Sequence, residues 1–166
     1  MDERTAEFWI DWLKLERHPE GGYYRRAYQS EEYVPEECLP ERFSGSRLLS
    51  TSIHYLLKRE CVSRLHRIRS DELWHFYAGG STVVHVLSQD GVRTNLLLGP
   101  DPRQGHRFQA VVPHGSWFAA EVIDGPYALF GCTVSPGFEF EDLELAERSR
   151  LTALYPRHRS LIERFT

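Results

Sequence analysis

The stretch Leu65-His66-Arg67-Ile68-Arg69-Ser70-Asp71-Glu72-Leu73-Trp74-His75-Phe76-Tyr77-Ala78-Gly79-Gly80 sets the frame for the whole chain. It predicts two short strands, residues 62–68 and 72–78, joined by a tight polar turn and closed by a glycine pair. Side chains on a strand alternate between faces. His66 and Ile68 therefore share one face of the first strand. Glu72, Trp74 and Phe76 share one face of the second, and His75 lies on the other unless a bulge intervenes.

Working outward, the same pattern repeats. Leu48 to Leu57 precedes the quoted stretch. Thr82 to Ser88 follows it and ends at Gln89-Asp90-Gly91, a hairpin signal. Val92 to Leu98, Phe108 to Val112, Trp117 to Ile123 and Tyr127 to Val134 continue, each ended by a Pro- or Gly-containing turn. Strands at such regular spacing indicate an all-β sandwich or barrel. No helical pattern of crossover length separates them, which argues against a parallel α/β sheet.

The ends read differently. Phe8, Trp9, Trp12, Leu13 and Leu15 recur at helical spacing and predict a helix over 6–17, capped by Thr5 and stopped by His18-Pro19. Its two tryptophans are expected to pack on the domain. Glu20-Gly21-Gly22-Tyr23-Tyr24 combines a glycine pair, which allows unusual backbone, with two flat aromatic faces. It reads either as a turn feeding a strand or as a ligand-contacting segment. Residues 30–47 form an expected surface loop. From about Asp142 the chain turns helical again.

Length and composition set the bounds. The 166 residues predict a single domain, 1–166, with the N-terminal helix, a barrel over about 20–140 and a helical tail over 142–166. Hydrophobic residues make up 41% and charged residues 27%, a globular balance that excludes a disordered tail or a coiled coil. The net charge of −4 offers no positive field for nucleic acid. The longest apolar run, Tyr127 to Val134, is far short of the ~20 residues of a membrane-spanning helix. The start, Met1-Asp2-Glu3-Arg4, lacks a secretory pattern, and Cys38, Cys61 and Cys132 have no disulfide or zinc spacing, so a cytoplasmic location is expected. Cys61 and Cys132 are expected to be buried as small hydrophobes.

Chemistry concentrates in the opening stretch. His66, Glu72 and His75 lie within ten residues. Imidazole and carboxylate serve both as ligands for divalent metals and as general acids and bases. His66 and Glu72 are the firmest pair, and His75 joins a metal set only if its strand is irregular. Trp74, Phe76, Trp117 and Phe118 supply an aromatic wall. His85 alternates with Val83 and Leu87; it reads as a satisfied core histidine and stays among the candidate ligand contacts. His114 is expected to be solvated in its turn. His18, His106 and His158 sit in polar stretches and receive no role. Arg67 should face away from His66. Dinucleotide, P-loop and serine-hydrolase motifs are absent.

These residues resemble the cupin superfamily. His66, Glu72 and Gly79 match its first motif of two histidines, a glutamate and a glycine; Ile68 stands in the second histidine slot. Pro113-His114-Gly115-Ser116-Trp117-Phe118 resembles the second motif, with Phe118 in the last histidine slot. The chain is most similar to a cupin family of unknown function, in His18-Pro19-Glu20-Gly21-Gly22-Tyr23-Tyr24, Ser70-Asp71-Glu72-Leu73-Trp74-His75-Phe76, Val112 to Trp117 and Gly131 to Phe140. The resemblance implies a double-stranded β-helix, the jelly-roll cupin barrel, with short N- and C-terminal helices, commonly a homodimer, holding its site inside the barrel.

Three functions follow as expectations. The first is an enzyme that epimerises or isomerises a small polar or carbohydrate-like molecule, with His66 as base, Glu72 orienting it or acting as partner acid, and Glu20, Gly21, Gly22, Tyr23, Tyr24, Trp74, Phe76, His85, Trp117 and Phe118 in contact with ligand. The second is a binding or sensing protein using the same cavity without turnover. The third is a metal-dependent enzyme such as a dioxygenase, with a divalent ion on His66, Glu72 and His75.

Overall fold

The computed structural model describes residues 4–166. Its elements run α1 (Ala6–Leu13), β1 (Glu16–Arg17), β2 (Tyr23–Gln29), β3 (Tyr33–Val34), β4 (Arg47–Leu48), β5 (Thr51–Lys58), β6 (Val62–Arg67), β7 (Asp71–Gly79), β8 (Thr82–Leu87), β9 (Arg93–Leu98), β10 (Gln109–Val112), β11 (Trp117–Val122), β12 (Tyr127–Ser135), β13 (Glu144–Leu145), α2 (Arg148–Leu154) and α3 (Arg159–Phe165). The main sheets are antiparallel throughout. One has the order β1-β2-β5-β12-β7-β10, the other β13-β6-β11-β8-β9. Together they form the jelly-roll barrel that the cupin resemblance implies, within the sandwich-or-barrel class expected from the strand pattern.

Alternation decides what lies inside. Tyr55 and Leu57 of β5, Trp74 of β7, Ala128, Phe130, Cys132 and Val134 of β12, Val84 and Val86 of β8, and Phe118, Ala120 and Val122 of β11 make one interior cluster. The residues between them face outward and are covered at both ends of the chain. Ala6, Trp9 and Leu15 pack over Leu56, Tyr127 and Leu129 on the first sheet. Leu151, Leu161, Ile162 and Phe165 pack over Leu65, Leu87, Trp117 and Ala119 on the second.

Several local expectations need correction. The first helix stops at Leu13, not Arg17, because Lys14 turns left-handed (φ 52°) and donates its N–H to Asp11 and Ile10 carbonyls, after which Glu16 and Arg17 pair with β2. Thr5 caps this helix as expected, accepting from the Phe8 N–H at 3.2 Å. Trp9 is buried and bonded to the Tyr127 hydroxyl, whereas Trp12 is 66% exposed. The expected loop over 30–47 holds the β3–β4 pair and a buried Arg47. Cys132 is buried, but Cys61 is only half-buried.

Candidate active site

The barrel interior is not filled. A cavity of about 40 Å³ lies between the sheets. Tyr24, Ile53, Tyr55, Ile68, Cys132, Val134 and Phe138 give its apolar wall, and His18, Glu20, Arg26, Thr51, His66 and Glu72 its polar one. Ionisable groups enclosed this way are exposed to strong mutual fields, so their protonation must be worked out together.

His66 comes from β6, whose register against β11 shifts: Phe118 pairs with His66 but Ala120 pairs with Ser63. The extra residue makes a bulge that brings Ser63 to the inward side along with His66. The His66 ring lies 4.0 Å from the Phe118 ring and is only 2% exposed. Its Nδ1 meets the Arg64 carbonyl at 2.6 Å, and its Nε2 meets Glu20 Oε2 at 2.9 Å. A carbonyl can only accept, and so can an ionised carboxylate. Both ring nitrogens therefore carry protons, and His66 is an imidazolium.

Glu20 arrives from outside the strands, on the segment that leads into β2. Its carboxylate takes His66 on Oε2 and the Ser63 hydroxyl on Oε1 at 2.9 Å. Burial alone would raise the pKa of this carboxyl; the charge and hydrogen bond of His66 outweigh it and bring the group down to about 2. Burial likewise opposes the charge on His66, but Glu20, the Arg64 carbonyl and Glu72 together hold its pKa above the usual imidazole value. The glycine pair makes this approach possible. Gly21 has φ 116°, and a Cβ there would stand 2.2 Å from the Val62 carbonyl oxygen; at Gly22 one would stand 2.8 Å from the Leu56 carbonyl oxygen.

His18 is in the opposite state. Its Nδ1 accepts the Glu20 backbone N–H at 3.3 Å. The ring is thus neutral with its proton on Nε2, and burial lowers its pKa in agreement. The side chain is only 6% exposed. Among the described residues Nε2 has no hydrogen-bond partner, which leaves a donor in the cavity wall.

Glu72 faces the same space from β7, and among the described residues no cation is bonded to it. Burial first, and the Glu20 charge second, raise its pKa to about 7, even though the His66 charge pulls the other way. Neighbouring Cys132 and Trp74 lower it slightly; burial pushes the Cys132 thiol well up. The site thus holds a fixed imidazolium–carboxylate pair and a second carboxyl poised near neutrality, the separation of proton affinities that acid–base chemistry uses.

The remaining expected residues divide by strand face. Glu20, Tyr24, His66 and Glu72 line the cavity. Trp74, Phe76 and Phe118 lie inside the barrel and pack its core around Phe130 or His66, behind the lining. Three are not brought to the site. Tyr23 points outward beneath α1, where Arg17 lies 4.3 Å over its ring. Trp117 points outward beneath the C-terminal helices, with Arg67 4.6 Å over its ring. His85 also points outward, between Asn95 and Glu121 at 3.0 Å each and against Phe165. Glu72 does not orient His66; Glu20 does. Among the site residues not singled out from the sequence are His18, Arg26, Tyr55, Ser63 and Phe138.

A cupin-type metal does not fit these residues. Ile68 and Phe118 occupy two ligand slots with hydrocarbon. His75 lies on the outer face of β7, bonded to Thr133 Oγ1 at 3.2 Å, because the β7 bulge falls beyond it, between Phe76 and Ala78. Among the described residues no three His, Cys, Asp or Glu side chains are grouped to hold a metal ion.

Comparison with known proteins agrees with the architecture. The family model described as cupin superfamily (DUF985) matches residues 7–146. A crystal structure of a Shewanella oneidensis protein is 39% identical, with 98% of each chain covered and a TM-score of 0.88. A hypothetical protein from Leishmania major is 35% identical over 98% of this chain and 99% of its own, with a TM-score of 0.90. Oxalate decarboxylase from Bacillus subtilis is 17% identical over 90% of this chain and 36% of its own, with a TM-score of 0.56, a likeness of fold alone. Comparison with curated proteins finds no match. The family match over most of the chain's length, and the two full-length relatives, place the chain in the DUF985 family of the cupin superfamily.

Proposed function

We propose that this cupin is an enzyme that moves a proton at a carbon next to a carbonyl, as in isomerisation or epimerisation of a small polar molecule. The observation that carries this reading is the convergence of Glu72, the His66–Glu20 pair and the His18 Nε2–H on one enclosed cavity. His66 was the expected base; with both nitrogens protonated and bonded it has no lone pair to offer. Glu72 takes that role.

The C–H bond beside the carbonyl breaks and its proton passes to the Glu72 carboxylate. The electron pair becomes a C=C bond, and the negative charge falls on the carbonyl oxygen, which accepts the His18 Nε2–H. A neutral imidazole is a competent donor to such an oxygen. Return of the proton from Glu72 to the opposite face, or to the adjacent carbon, completes the exchange. The His66–Glu20 pair stays fixed, and burial, helped by the Glu20 charge, sets the proton affinity of Glu72 near neutral pH, where a general base works best.

The test is exchange in D2O, followed by proton NMR, with pyruvate, dihydroxyacetone and glyceraldehyde as probes. Protein-dependent loss of a C–H signal next to the carbonyl is expected, slowed roughly 10²–10⁴-fold in Glu72→Gln. Saturable binding with no exchange for any probe would instead favour the binding or sensing reading, which the same cavity also supports.

A further inference from the structure

Arg26 has no part in the proton transfer, yet it lines the cavity. It follows Tyr24 by two residues on β2 and pairs with Ile53 of β5, so alternation turns it to the barrel side. It is half-buried, and its hydrogen bond runs from Nη2 to the Phe138 carbonyl at 3.3 Å. Among the described residues no carboxylate lies within ion-pair distance of it, and it is the arginine that lines the cavity. A guanidinium has five N–H donors in a planar fork shaped for a carboxylate. In this wall most of that fork is unspent.

Charge and size narrow what it would meet. His66 and Glu20 cancel, and His18 is neutral. Glu72 is ionised when it acts as base, and Arg26 is the cavity cation not bonded to a carboxylate, so an anionic group of the ligand pairs there. The cavity is small, about 40 Å³, so the enclosed part of the ligand is short. A short molecule that offers Arg26 a carboxylate and Glu72 a C–H beside a carbonyl has those groups adjacent.

We infer that the ligand class is a short 2-oxo carboxylic acid, its carboxylate on Arg26 and its 2-oxo oxygen at the His18 Nε2–H. The 2-oxo group rests on the proton-transfer reading above; the carboxylate rests on Arg26 alone. In the reaction the C3–H bond breaks, its proton goes to Glu72, the pair forms C2=C3, and the 2-oxo oxygen becomes the enolate.

The experiment compares pyruvate with its neutral analogue pyruvamide, by calorimetry for binding and by D2O exchange at the methyl group. Pyruvate should bind roughly ten- to a hundred-fold more tightly than pyruvamide. Arg26→Met should remove that preference, and Arg26→Lys should keep part of it. Equal binding of the two probes, no saturable pyruvate binding, or a preference unchanged in Arg26→Met overturns the inference. An Arg26-dependent preference with no exchange above the Glu72→Gln level would leave the carboxylate site standing and remove the proton-transfer reading. Exchange of neutral carbonyl compounds without any carboxylate preference would do the reverse.

Discussion

At the scale of single residues, the decisive feature is that two glutamates in one cavity are driven in opposite directions. Glu72 titrates at about 7 in the fold, against 4.5 in the unfolded chain. Between those values the folded chain holds the extra proton, so stability falls as pH rises through the window and the loss is complete above it. The full loss is on the order of 3 kcal/mol. Glu72→Gln should therefore gain stability relative to the parent on going from pH 5 to pH 8, measured by urea unfolding at both values. Glu20 behaves inversely: its contribution is present above 4.5 and lost as pH falls toward about 2. Gly21→Ala tests how Glu20 is delivered. The new methyl would collide with the Val62 carbonyl at a left-handed φ, costing roughly 1–3 kcal/mol. Once Glu20 is displaced, the raised pKa of His66 should drop, as seen in its NMR titration. His66 and Glu72 were legible because they share one strand–turn–strand unit. Glu20 was legible only as a ligand contact. Its pairing with His66 joins positions 46 residues apart, and nothing in local spacing encodes that.

At the scale of elements, strand parity explains most of the agreement and most of the misplacement. Tyr23 and Tyr24 are neighbours on β2, as are Trp117 and Phe118 on β11, and a regular strand can send only one of each pair inward. Tyr24 and Phe118 go in; Tyr23 and Trp117 go out. The pattern carried the alternation but not its phase. Bulges were illegible too, since the extra residue in β6 is fixed by pairing with β11 and not by any glycine or proline in β6. The segment before β5 is held by a device of a different kind. Arg47, 2% exposed, makes paired bonds of 2.8 Å to both oxygens of buried Asp142 and donates to the carbonyls of Ser44, Gly45 and Ser46. Arg47→Met leaves Asp142 short of its main partner and should cost roughly 3–5 kcal/mol in chemical denaturation. Phe138, near Asp142 in the chain, lines the cavity, so weakened pyruvate binding is expected alongside.

At the scale of the whole molecule, the barrel is a scaffold dressed at both ends. A sandwich or barrel was readable from the turn-punctuated strands and the jelly roll from the cupin resemblance; no helix among the described residues is long and apolar enough to cross a membrane. What the periodicity could not reveal is which sheet each terminal helix covers, because either sheet offers an apolar outer face. The C-terminal pair seals the second sheet through Leu151, Leu161, Ile162 and Phe165. Phe165→Ala should cost roughly 3–5 kcal/mol in thermal or chemical unfolding. Because this cover lies across the sheet from the cavity, D2O exchange should persist in the folded fraction.

The glycine-hinged stretch carrying His18 and Glu20 is no strand of the barrel; it is laid against a finished socket. Strip it away and the scaffold would still close, but His66 would lose its counter-ion, become an ordinary imidazole and stand ready to accept protons. A change in this short segment alone would thus turn a locked ion pair into a free proton acceptor, and two relatives with superimposable barrels can differ here for want of a few residues docked from outside.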